Sequence, residues 1–139
     1  MEAVTPKLMV VENDPYFIYL LRLYAEQSGF AVVCTNSGSG ALTLAEQERP
    51  SVIVLESELP EINGWEILRR LRTRPLTHMI PVVMCLWQDS KQECNASPSE
   101  GFLHKPMGYE DFVVALKDVG VWPANNPERP LPTPEAPAE

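Results

Sequence analysis

The hydrophobic positions of this chain change period repeatedly, and the changes mark its elements. Leu8-Met9-Val10-Val11 is an unbroken apolar run, the pattern of a central parallel strand covered on both faces. It gives way to Glu12-Asn13-Asp14-Pro15, where Asp14 suits a helix cap and Pro15 the first helical position. Phe17, Leu20, Leu21 and Tyr24 then recur at helical spacing, and Gly29 closes the segment. Ala31-Val32-Val33-Cys34-Thr35 predicts a second strand, followed by a helix with Ala41, Leu44 and Ala45 inward, stopped by Pro50. Val52-Ile53-Val54-Leu55 reads as a deeply buried third strand. A turn-rich stretch from Glu56 to Gly64 leads into a helix with Trp65, Leu68 and Leu71 inward. Pro81 to Leu86 is a fourth strand and Phe102-Leu103 a short fifth. Phe112, Ala115, Leu116 and Val119 mark a last amphipathic helix.

Five strands alternating with helices imply right-handed crossovers and an α/β fold, a doubly wound five-stranded parallel sheet. Ligand chemistry in such a sheet collects beyond the carboxyl ends of the strands, where strand order reverses. That rule points to Glu12, Asn13 and Asp14, to Glu56, to Leu86 and Trp87, and to Lys105. One segment breaks the rhythm. Between Trp87 and Gly101 the residues QDSKQECNASPSE carry no helical period, which predicts a degraded fourth helix.

Composition narrows the function classes. The 139 residues suffice for one domain with its own core, and 45% hydrophobic with 22% charged residues is a globular balance. Six of the 14 prolines fall after Trp122, so the expected organisation is a domain over residues 1–121 and a Pro-rich, disordered tail or linker over 122–139. A net charge of -8 argues against direct nucleic-acid binding by this domain. No apolar run is long enough to span a bilayer, and no membrane partner is expected. Cys34, Cys85 and Cys94 form no C-x-x-C pair, which fits reduced thiols and a cytoplasmic setting. His78 and His104 lack metal-ligand spacing, and no nucleophile–base pair or Gly-rich phosphate loop points to a small-molecule enzyme.

Several motifs in the right order carry a resemblance. LMVVENDP, RPSVIVLESELPEINGWEILRRLR, IPVVMCL and GFLHKP together resemble the response-regulator receiver family of two-component phosphorelay signalling, over roughly residues 7 to 120. The resemblance implies a flavodoxin-like sheet of order 2-1-3-4-5, as in chemotaxis receivers. It also implies an aspartate after strand three that accepts a phosphoryl group, an acid pair that binds Mg²⁺, and a Thr or Ser and a lysine that hold phosphoryl oxygens. Metal and lysine would neutralise charge on the group in transit.

This chain departs from that pattern at most of those positions. Glu56 stands at the phosphoacceptor position and Asn13 at the second acid. Leu86 stands where the family has Thr or Ser, while Glu12 and Lys105 keep the expected types. Phe102 matches the aromatic that rotates on activation, without a hydroxyl partner at position 86. The resemblance is therefore to a degenerate pseudo-receiver, with no catalytic residue and no metal or other cofactor expected. It would act through a signalling partner or a homodimer. Glu56 is expected either to reach Lys105 directly or to lie where an acyl phosphate would place its oxygens. The alternatives are a working phosphoacceptor using Mg²⁺ at Glu12, Asn13 and Glu56, and the regulatory domain of a DNA-binding regulator. Simpler roles stand beside these: Asp14 as a cap, Lys105 as a neutraliser of the acids, Arg69, Arg70, Arg72 and Arg74 as a solvated face. Trp87 is expected either to plug the vacant phosphoryl pocket or to anchor a partner.

Overall fold

The computed structural model describes residues 5–87 and 100–122. The elements follow in the order β1 (Lys7–Val11), α1 (Pro15–Gln27), β2 (Ala31–Thr35), α2 (Gly38–Glu48), β3 (Val52–Glu56), α3 (Gly64–Arg72), β4 (Val82–Trp87), β5 (Gly101–Lys105) and α4 (Tyr109–Asp118). The strands form one sheet of order β2-β1-β3-β4-β5. All four pairings are parallel. This is the expected doubly wound sheet, with the order reversing between β1 and β3. The expected degraded helix and the Pro-rich tail lie outside the described residues, apart from Glu100 and Trp122. Val121 and Trp122 still pack against the core.

Helices α1, α2 and α3 each begin with a side chain that satisfies an otherwise orphaned backbone N–H. Asp14 accepts from Tyr16 N at 2.9 Å, Ser37 from Gly40 N at 3.1 Å, and Asn63 from Trp65 N at 2.7 Å. Helix α3 starts hard against the end of β3. A Cβ at Gly64 would lie 2.1 Å from the Glu56 carbonyl oxygen, so only glycine permits this approach.

The sheet divides the core in two by the two-residue alternation of its strands. Leu8, Val10, Val52, Val54, Val83, Cys85 and Leu103 face α1 and α4. Met9, Val11, Ile53, Leu55, Val82, Met84 and Leu86 face α2 and α3. The buried stripes of the helices are shifted slightly from those expected. Leu42 rather than Leu44 is fully inward on α2, and Ile67 outranks Trp65 on α3. The basic run on α3 is not a bare solvated face. Arg69 and Arg70 pair with Glu66, and Arg74 with Glu46. Arg72 pairs with the buried Glu100 carboxylate at 2.7 Å and donates to Ile80 O at 2.8 Å, pinning the turn after α3 beside β5.

Candidate functional site

The strand alternation that sorts the core also builds the site. Continued past the strand ends, it puts Glu12, Glu56, Trp87 and Lys105 on the α1 side of the sheet's carboxyl edge. Backbone register brings them level, with Glu56 beside Cys85 and Trp87 beside Lys105. There they line a cleft of about 370 Å³ together with Asn13, Asp14, Pro15 and Glu58.

Lys105 is the centre of the arrangement. Its Nζ lies 2.5 Å from Glu56 Oε1 and 3.0 Å from Glu12 Oε1, and all three side chains are buried. The other oxygen of each carboxylate is also occupied. Glu12 Oε2 accepts from Asn13 N at 3.2 Å and Asp14 N at 3.1 Å, while Glu56 Oε2 accepts from Glu58 N at 2.8 Å. Two rings complete the surroundings. The ammonium is 4.3 Å from the Phe17 centroid and 5.2 Å from that of Trp87, both within cation–π range. Phe17 and Trp87 meet edge to face at 5.7 Å.

Protonation follows from these contacts. Burial is the largest influence on Lys105 and by itself would lower its pKa, but the hydrogen-bonded carboxylates of Glu56 and Glu12 outweigh it and leave the pKa raised. For Glu12 burial dominates and raises the carboxyl above its ordinary value, although Lys105 pulls the other way. Burial also pushes the Cys85 thiol up, so it remains protonated.

The structure brings together Glu12, Asn13, Asp14, Glu56, Trp87 and Lys105 as expected, and Glu56 does reach Lys105. It corrects the placement of Leu86 and Phe102. Leu86 has the opposite strand parity, so its fully buried side chain belongs to the core under α2 and α3, and the half-buried Phe102 packs against that same core. Neither lines the cleft. Trp87 lines the cleft, with its ring centroid 5.2 Å from the Lys105 ammonium and 43% of the residue exposed. Sequence reasoning missed Phe17, which it read only as a core position. Its place one turn after the strand-end acids was the available signal.

Magnesium is the ion that the family resemblance implies, and it demands a near-octahedral shell of hard oxygens. The donor set does not fit it. All four oxygens of Glu12 and Glu56 already face Lys105 or backbone N–H groups, and Asn13 supplies no charge. The third potential ligand grouped with the two carboxylates is Cys85 Sγ, a soft donor on a buried, protonated thiol.

Comparison with known proteins agrees with this architecture. Residues 8–117 match the response regulator receiver domain. The polar-differentiation response regulator DivK of Brucella ovis is 27% identical over 117 residues, spanning 82% of this chain and 95% of DivK. The alkaline phosphatase synthesis transcriptional regulatory protein PhoP of Bacillus subtilis is 35% identical over 85 residues, which is 61% of this chain and 35% of PhoP. A response regulator structure from Chloroflexus aurantiacus superposes with TM-score 0.77 at 25% identity, covering 84% of this chain and 98% of that one. Vibrio cholerae chemotaxis protein CheY4, at 21% identity and TM-score 0.76 over 84% of this chain and 99% of its own, shares the fold. Sequence motifs, strand order and these likenesses converge, and the chain belongs to the response regulator receiver domain family.

Proposed function

We propose that this receiver domain transmits its signal without accepting a phosphoryl group and without Mg²⁺, acting as a binding module for another cytoplasmic signalling protein rather than as an enzyme. One observation carries the reading: the Lys105 ammonium is already held between Glu12 and Glu56 at 3.0 and 2.5 Å. In a phosphoacceptor that ammonium must be available to the phosphoryl oxygens, and the carboxylates to a metal and to phosphorus. Here cation and anions satisfy each other. Glu56 also projects one methylene further than an aspartate would, and a displacement of about 1 Å can cost roughly 100-fold in rate. The buried Leu86, turned away from the cleft, has no hydroxyl to present to a phosphoryl group.

Incubation of the full chain with Mg²⁺ and acetyl phosphate, read by intact mass, tests this. The expected result is an unmodified mass under conditions that label a phosphorylatable receiver run in parallel. A single phosphoryl adduct on any carboxylate refutes the proposal. Titration of Mg²⁺ alone against the Trp87 indole resonance is expected to leave it unmoved.

A further inference from the structure

The outer wall of the cleft has a chemistry of its own. Beyond the buried trio, Asp14 and the exposed Glu58 add two more carboxylates, so among the described residues four acids surround one ammonium in the lining. An anionic ligand would meet that excess of negative charge; a cation would be drawn in. The exposed indole of Trp87 forms one side of the opening, and an apolar ridge leads away from it. Tyr16, adjacent to the lining residue Pro15, stacks edge to face on Phe17 at 5.1 Å, and Phe17 meets Trp87. Tyr16 (61% exposed), Tyr19 (64%) and Leu23 (36%) fall at i, i+3 and i+7 on α1, so they form one stripe on its outer side. Single exposed apolar residues need no explanation, but aromatics aligned beside an acidic opening are suited to a partner.

We propose that this surface receives a basic segment of a partner protein: an arginine side chain enters the acidic cleft against Trp87, and its apolar neighbours lie along Tyr16, Tyr19 and Leu23. Charge complementarity selects the occupant, and the planar guanidinium suits both an indole face and paired carboxylates. A second copy of this chain is a poor candidate by way of the arginines of α3 and of the turn after it. Arg69 and Arg70 are paired with Glu66, Arg72 with Glu100 and Arg74 with Glu46. The inference rests on the binding-module reading and gives that reading a partner chemistry.

The probe is the acetylated, amidated tripeptide Leu-Arg-Leu, with versions carrying lysine or citrulline at the centre. Binding to the full chain is followed by the Trp87 indole N–H resonance, assigned with Trp87→Phe. The expected result is saturable binding with a dissociation constant of about 1 mM or tighter for arginine. Lysine should bind several-fold more weakly, citrulline should show no saturation, and added salt should weaken the arginine complex. Glu58→Gln and Asp14→Asn, which alter exposed or cap positions without disturbing the buried trio, should each weaken binding at least two-fold with an unchanged fold by circular dichroism. Equal binding of citrulline, or no shift at ten times that concentration, overturns the proposal. So does binding that emerges only when residues 123–139 are removed, since Arg129 of this chain would then be the natural occupant. None of these failures produces a phosphoryl adduct, so they remain separate from failure of the phosphorylation-independent reading.

Discussion

Replacing Lys105 by methionine isolates the interaction at the centre of the cleft. Methionine keeps most of the apolar stem against Phe17 and Trp87 and removes only the ammonium. Two buried carboxylates then face each other with backbone N–H groups on one oxygen each and nothing on the other. Breaking a buried ion pair from one side costs about 3–5 kcal/mol, because the remaining charge is left desolvated. For a domain whose total stability is of the order of 5–15 kcal/mol, that is a large fraction, equivalent to a melting temperature lower by roughly 10–20 °C. The sign of the pH dependence follows from Glu12, whose carboxyl is raised by burial even with Lys105 present. A carboxyl raised in the folded state binds protons that the unfolded chain has released, so stability falls as pH rises from the ordinary carboxyl value through the raised one. Without Lys105 that rise is larger. The deficit of Lys105→Met should therefore be small near pH 4.5, grow toward pH 7, and be largely recovered by adding Glu12→Gln and Glu56→Gln. The native Lys105 behaves inversely at the other end of the scale: its pKa is raised, so its contribution is complete below the ordinary lysine value and fades as pH climbs through the raised one. Urea unfolding across that pH range measures all of this. A Lys105→Met deficit below about 1 kcal/mol at pH 7, or one independent of pH, would show that the trio does not hold the cleft in the way argued.

Three further substitutions probe the frame around the trio. Gly64→Ala drives a Cβ to 2.1 Å from the Glu56 carbonyl and should cost about 1–3 kcal/mol in denaturant unfolding, since the close neighbours are backbone. Asp14→Ala removes the α1 cap and should cost about 1 kcal/mol by the same measurement, whereas Asp14→Asn should be close to neutral. Leu86→Thr places a hydroxyl in the apolar core under α2 and α3 and is expected to lose about 2–4 kcal/mol without conferring phosphorylation, as read by unfolding and by intact mass.

The sheet and most of the cleft were legible because both rest on local signals. Unbroken apolar runs bounded by turns mark parallel strands, and chemistry at their carboxyl ends is a consequence of the topology. Glu12 and Glu56 each directly follow an apolar run and Lys105 stands two residues past Phe102-Leu103, so their meeting followed from strand order. Leu86 was misplaced because it was read by its position in a motif instead of by its parity in β4, where 83, 85 and 87 face one side and 82, 84 and 86 the other. Arg72 was misread for a different reason. Its partner Glu100 is 28 residues away, and no local pattern connects the end of α3 with the start of β5. Phe17 looked like any inward helix position, since nothing in a hydrophobic period distinguishes a ring that packs on the core from one that also faces an ammonium.

The exchanges in the cleft also make sense together as an account of buried charge. With an acid at position 13 as well, three carboxylates would gather around one ammonium, and a bound divalent cation would be the obvious way to offset the repulsion. With Asn13 the buried trio carries a single net negative charge, and three backbone N–H groups, from Asn13, Asp14 and Glu58, point at it. The longer reach of Glu56 matters in the same way. Its Oε1 comes within 2.5 Å of Lys105 while its Oε2 still accepts from Glu58, so one side chain both ends β3 and closes the ion pair. A shorter aspartate anchored by the same backbone N–H would leave a gap toward Lys105, reopening the space in which a phosphoryl oxygen could sit. Glu56→Asp alone should therefore loosen the Lys105 contact, measured as a lower Lys105 pKa by amine NMR, yet leave the chain unphosphorylated because Asn13 and Leu86 still withhold a metal-binding charge and a hydroxyl. A Lys105 pKa that does not fall in this variant would mean that Glu12 alone holds the ammonium and that the extra methylene at position 56 has no part in closing the site.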